Sequence, residues 1–136
     1  MSGVDPPSVV RVDYDRGAID AADVAADPLE QLRRWLADAE AAGVPEPTGF
    51  SLSTVDPSGR PTSRNVLLRG LDSGLIFYTN RSSAKGRDLA HEPRCAALFS
   101  WFGLQRQVRV EGTAIPVAAA ESDAYLDPSD RTQRLP

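Results

Sequence analysis

From Phe50 to Val117 the chain runs in short stretches that alternate apolar and polar residues, each ending at a turn signal. Alternation at period 2 sends one face of a strand into a core and the other into solvent, so this region is built for antiparallel sheet. Phe50-Ser51-Leu52-Ser53-Thr54-Val55 is the first stretch, and Asp56-Pro57-Ser58-Gly59 turns it. Pro61 to Leu68 returns, Asp72-Ser73-Gly74 turns again, and Leu75 to Thr79 makes the third strand of a meander. Residues 82–92 break the alternation with a short helix that a serine opens and Pro93 closes. Arg94 to Phe102 is a long apolar strand with a central place in the sheet, and Gly103 turns it. Gln105 to Val117 alternates again, with Val108, Val110, Gly112 and Ala114 on one side. Five or six such strands favour a closed or split barrel, because closure removes edges that would pair with other chains.

Ahead of the strands the period is 3.6. Asp27 is a helix cap, Pro28 takes the first helical position, and Leu29, Leu32, Trp35, Leu36 and Ala39 form one apolar stripe that Gly43 and Pro45 end. Residues 1–26 form an N-terminal segment, Pro-rich at its start and partly mobile. Ala118 to Leu126 has helix-forming composition, and residues 127–136 read as an unstructured polar tail. The fold class is mainly β with helices, in one domain spanning 27–126.

Composition narrows the function. A length of 136 residues suits one domain. One cysteine (Cys95) and one histidine (His91) exclude an internal disulfide, a cysteine-based zinc cluster and a histidine-rich metal site. A net charge of −4 argues against a nucleic-acid or anionic-membrane partner. A barrel using Arg106, Arg109, Trp101 and Phe102 on nucleic acid is the weaker alternative. No apolar run reaches the roughly 20 residues of a membrane span, and the first residues do not form a secretory signal, so the default location is cytoplasmic. Phosphate-binding glycine motifs and a Gly-x-Ser-x-Gly elbow are absent, and the carboxylate pairs Asp13/Asp15 and Glu121/Asp123 read as solvated charges.

What remains is a set of anion-binding groups at strand ends. Arg64 and Arg69 bracket Asn65-Val66-Leu67-Leu68 and fall on opposite faces of a regular strand. Tyr78-Thr79-Asn80 ends the next strand. Ser82, Ser83 and Lys85 open the short helix, and Lys85 is the sole lysine beside fourteen arginines. Free N–H groups, hydroxyls and a lysine at a helix start suit a phosphate. Gln107 offers an amide to a heterocycle edge. Each residue alone reads as an ordinary turn or surface group; together they suit a phosphorylated planar ligand.

The text S-L-S-T-V-D-P-S-G-R-P-T-S-R-N-V-L-L-R-G, followed in order by F-Y-T-N-R-S-S-A-K-G-R-D-L, P-R-C-A-A-L-F-S-W, R-Q-V-R-V-E-G and E-S-D-A-Y, resembles the pyridoxine/pyridoxamine 5′-phosphate oxidase family. With D-Y-D-R-G-A-I-D upstream, the resemblance covers about residues 10–126. It implies an FMN-binding split barrel, a homodimer with FMN between subunits, and oxidation of pyridoxamine or pyridoxine 5′-phosphate to pyridoxal 5′-phosphate with O2 as acceptor. A non-catalytic flavin-binding barrel, an inactive shortened member and a phenazine-pathway oxidase are the alternatives. Carried over by position, Arg64, Asn65, Val66, Leu67, Leu68, Arg69, Tyr78, Thr79, Lys85 and Gln107 bind the cofactor. Arg11, Tyr14, Arg69 and Tyr125 bind the substrate, and no side chain is assigned as catalytic. Ala84 stands where the family has Arg, Arg69 where Lys is usual, and Val12 where a basic residue is common. The quoted text stops at Tyr125, and Ser129 and Gln133 occupy the places of a substrate-binding Arg and Ser. The resemblance therefore implies a barrel short of its C-terminal closing strands.

Overall fold

A computed structural model describes residues 21–79, 83–116 and 123–127. The first helix, α1 (Pro28–Ala41), starts where cap chemistry dictates: Asp27 accepts the Leu29 N–H at 3.1 Å and Pro28 fills the first turn. Gly43, at φ +72°, ends it in a left-handed conformation that a side chain would strain.

Six strands follow: β1 (Gly49–Val55), β2 (Pro61–Leu71), β3 (Leu75–Tyr78), β4 (Arg94–Trp101), β5 (Arg106–Pro116) and β6 (Asp123–Asp127). Helix α2 (Ala84–His91) lies between β3 and β4. The strands close into an antiparallel barrel in the order β1-β2-β3-β6-β5-β4, with β4 pairing back to β1. Asp56 shapes the first turn by accepting the N–H groups of Ser58 and Arg60. The bond from the Ser58 hydroxyl, more than any other, holds its carboxyl below the usual range.

The alternation read from sequence sorts the faces. Phe50 and Leu52 of β1, Leu75 and Phe77 of β3, Ala97, Phe99 and Trp101 of β4, and Ala114 of β5 fill the interior. Phe50 packs on Phe99 at 5.0 Å between ring centroids and edge-on to Phe77 at 5.9 Å, and Phe99 stacks on Trp101 at 5.7 Å. Helix α1 covers one side through buried Leu32 and Ala39. Trp35 meets Trp101 edge-on, the Trp101 indole donates to the Pro47 carbonyl at 2.9 Å, and Arg106 lies 4.7 Å over Trp35 while pairing with Asp38 at 2.8 Å.

The structure corrects three expectations. Ala118 to Leu126 reads as helical, yet Asp123–Asp127 is strand β6, pairing with β3 (Ile76 with Tyr125) and with β5 (Ile115 with Tyr125). Two open strand edges offer more hydrogen bonds than local helix propensity returns. Residues 117–122 lie outside the described residues. Asp127, read as the start of a loose tail, is the last residue of β6. The barrel expected to lack its closing strands is closed by β6. In addition β2 continues past Leu68 to Leu71 with a register shift between Leu68 and Gly70. Phe102 leaves β4 for a one-turn helix over Phe102–Leu104.

Cys95 faces inward on β4, and burial pushes its thiol from 9.0 up to about 12. We expect no reaction with Ellman's reagent at pH 8 in the native protein and one equivalent after denaturation. The unfolded chain releases this proton first, so stability falls as pH rises from about 9 toward 12.

Candidate functional site

Polar residues at inward phase mark one end of the barrel. Thr54 of β1 and Thr62 and Arg64 of β2 sit on the interior side, and cross-strand pairing sets Thr54 opposite Thr62. Helix α2 packs against β1 and drops Asp88 onto them, only 6% exposed. The hydroxyls of Thr54 and Thr62 donate to Asp88 Oδ2 at 2.9 and 3.1 Å. Arg64 donates to those same hydroxyls at 2.8 and 2.7 Å and to the Leu52 carbonyl at 3.0 Å, and its guanidinium stands 3.7 Å from Asp88. A buried carboxylate is tolerable only with such company.

The end of β3 and the start of α2 reach the same end of the barrel. Because β3 runs antiparallel to β2, with Phe77 opposite Leu68, Thr79 lies toward the end of β2 that carries Arg64. Thr79 is 7% exposed, and its hydroxyl has no hydrogen-bond partner among the described residues. Ser83 caps α2 by accepting the Gly86 N–H at 3.1 Å, and half-buried Lys85 occupies the first turn. A lysine there opposes the helix dipole, and the first turn holds no acidic residue to offset it. Two cations, an unpartnered buried hydroxyl and a capped helix start make a setting for a phosphate-bearing ligand.

The other candidates divide between faces. Val66 and Leu68 point inward with Arg64, while Asn65, Leu67 and Arg69 point outward. Tyr78 is half-exposed. Gln107 is exposed on β5 opposite Ser100. Asn65 and Leu67 line an outer cleft of about 490 Å³ with Ser51, Leu98, Ser100 and Phe102. Arg11 and Tyr14 lie outside the described residues. Tyr125 is placed in β6. The alternative nucleic-acid face is not assembled: Trp101 is buried, Arg106 is held by Asp38 and Trp35, and Arg109 pairs with Glu111 at 3.5 Å. No group of three or more metal-ligating side chains occurs among the described residues, and none of their helices is long and apolar enough to cross a membrane.

Asp88, Thr54 and Thr62 are the site residues that sequence reading missed. The signal was present in the two threonines, which fall at interior phase on a hairpin whose register the Asp56–Gly59 turn fixes.

A family model described as pyridoxamine 5′-phosphate oxidase matches residues 36–135, reaching beyond Tyr125, where the quoted text ends. A Ralstonia pickettii (strain 12J) protein named pyridoxine/pyridoxamine 5′-phosphate oxidase is 53% identical over 127 residues, covering 93% of this chain and 60% of that protein. PhzG from Burkholderia lata 383, solved in complex with tetrahydrophenazine-1-carboxylic acid, matches at TM-score 0.69 and 32% identity, over 82% of this chain and 52% of that one. A pyridoxamine 5′-phosphate oxidase-related, FMN-binding protein from Nostoc punctiforme PCC 73102 shares the fold at TM-score 0.58 and 23% identity, over 68% of this chain and 48% of that one. The chain spans about 55–60% of the length of the curated relatives it matches.

Proposed function

The chain belongs to the pyridoxamine 5′-phosphate oxidase family, and we propose that it binds FMN and serves the oxidation of pyridoxamine or pyridoxine 5′-phosphate to pyridoxal 5′-phosphate with O2, as a homodimer. The observation that carries this reading is the convergence of Arg64, Thr79 and the Lys85 end of α2 on one end of the barrel. The residues fit the cofactor, since the buried Thr79 hydroxyl lacks a partner among the described residues and a phosphate oxygen would supply one. Lys85 and Arg64 would offset the phosphate charge, partly countered by Asp88. Asn65 to Leu68, Tyr78 and Gln107 would border the ring system. Arg69, Tyr125, Arg11 and Tyr14 would hold the substrate. When bound, FMN supplies the two-electron redox chemistry. The chain's own work is to bind and orient two phosphorylated rings, which requires no strong general base.

Adding FMN to the purified protein should quench flavin fluorescence, and pyridoxamine 5′-phosphate should then yield peroxide and ammonia. Folded protein that ignores FMN would overturn the proposal. Lys85→Gln should weaken FMN binding about tenfold or more, the scale of one charge-assisted hydrogen bond. Its melting temperature should hold or rise slightly, because the substitution removes a cation from a helix start.

A second reading is favoured by the likeness to PhzG: the same cofactor site with a different reduced planar substrate. FMN binding without peroxide from either B6 vitamer would select it.

A further inference from the structure

We propose that Asp88 is a positioning residue that sets the two phosphate-facing cations, Arg64 and Lys85, relative to one another. The inference rests on the FMN reading above and deepens it.

The hydrogen-bond polarity around Asp88 is self-consistent. Each threonine hydroxyl has one proton, and both are given to the Asp88 carboxylate. The two oxygens are then left as acceptors, and both accept from Arg64. Thr54 and Thr62 thus act as spacers in a bridged ion pair: they fix the direction of the guanidinium while keeping it 3.7 Å from the carboxylate. The two N–H groups of Nη1 go to Leu52 O and Thr54, and Nη2 faces Thr62 and Asp88. The Nε–H edge is the part of the fork these contacts leave over.

The same carboxylate anchors α2. Asp88 stands three residues after Lys85, so the two share a side of the helix. Any rotation of α2 that moves Lys85 must carry the buried carboxylate away from two hydroxyls and a guanidinium. Asp88 therefore acts on a phosphate in two opposed ways: it subtracts charge from the cluster, and it holds both cations in place. Ordering is the larger effect here, because the carboxylate is buried against three partners.

The test compares FMN with riboflavin, which carries the same ring system and no phosphate, by flavin fluorescence titration. Wild type should bind FMN more tightly than riboflavin. Asp88→Ala should weaken FMN at least tenfold and leave riboflavin within about twofold, so that phosphate discrimination collapses. Asp88→Asn keeps an acceptor oxygen and should recover part of the loss. Thr62→Val keeps strand shape but removes one spacer and should fall between, which keeps the test open if Asp88→Ala does not fold. Asp88 variants that bind FMN as tightly as wild type, or more tightly, would overturn the inference in favour of simple charge subtraction. Equal loss for both flavins would overturn it in favour of a general structural role. A wild type that binds neither flavin would instead defeat the FMN reading itself.

Discussion

Replacing Arg64 with Met is expected to cost about 3 kcal/mol or more of stability, the scale for removing one partner of a buried ion pair. The reason lies in what remains. Asp88 is left with a negative charge, a side chain 8% exposed, and only two hydroxyl donors. The melting temperature should fall by about 10 °C, given how a domain of this size converts free energy into temperature. FMN binding should be lost as well, and the two losses are separable. In the double variant Arg64→Met, Asp88→Asn the unpaired charge is gone, so much of the stability should return, while FMN affinity should not. Recovery of both would mean that Arg64 contributes only to folding. No change in the melting temperature of the single variant would mean that the Arg64–Asp88 pair is worth no more than a surface contact.

Trp101→Ala is the other large effect, at about 3–5 kcal/mol for a fully buried aromatic. Trp101 is 1% exposed and holds three things together: the Phe99 stack, the edge contact to Trp35 of α1, and the bond to the Pro47 carbonyl that fixes the approach to β1. Its loss empties the seam between helix and barrel, and Trp35 loses its backing. Against a total of about 5–15 kcal/mol, this removes between about a fifth and all of the stability of the fold. The adjacent Phe102 gives the contrast. It is 84% exposed, so Phe102→Ala should change chain stability by less than about 0.5 kcal/mol. Chemical denaturation of the two variants side by side measures both values.

These two neighbours show what sequence could and could not tell. Trp101 and Phe102 look alike in the string, and only the end of β4 between them decides that one enters the core and the other the surface. Features written in local chemistry were legible: Asp27 and Pro28 start α1, Ser83 caps α2, and Asp56 to Gly59 turns β1 into β2. The opposite orientation of Arg64 and Arg69 followed from period alone. Features written in distant pairing were not legible. The segment that forms β6 carries alanines that favour helix, and its strand character comes from partners in β3 and β5. Asp88 looked like any acidic residue on a short helix until α2 was laid against β1.

The closing seam also governs the order in which the chain can assemble. The β1–β2 and β4–β5 hairpins join residues close in sequence, and each can form with little loop entropy lost. The β3–β6 seam joins Ile76 to Tyr125, nearly fifty residues apart, and must wait until both hairpins have brought its two sides near. Until that moment β3 and β6 each present a bare edge, so the interval before closure is when the nascent chain is most exposed to pairing with the wrong neighbour.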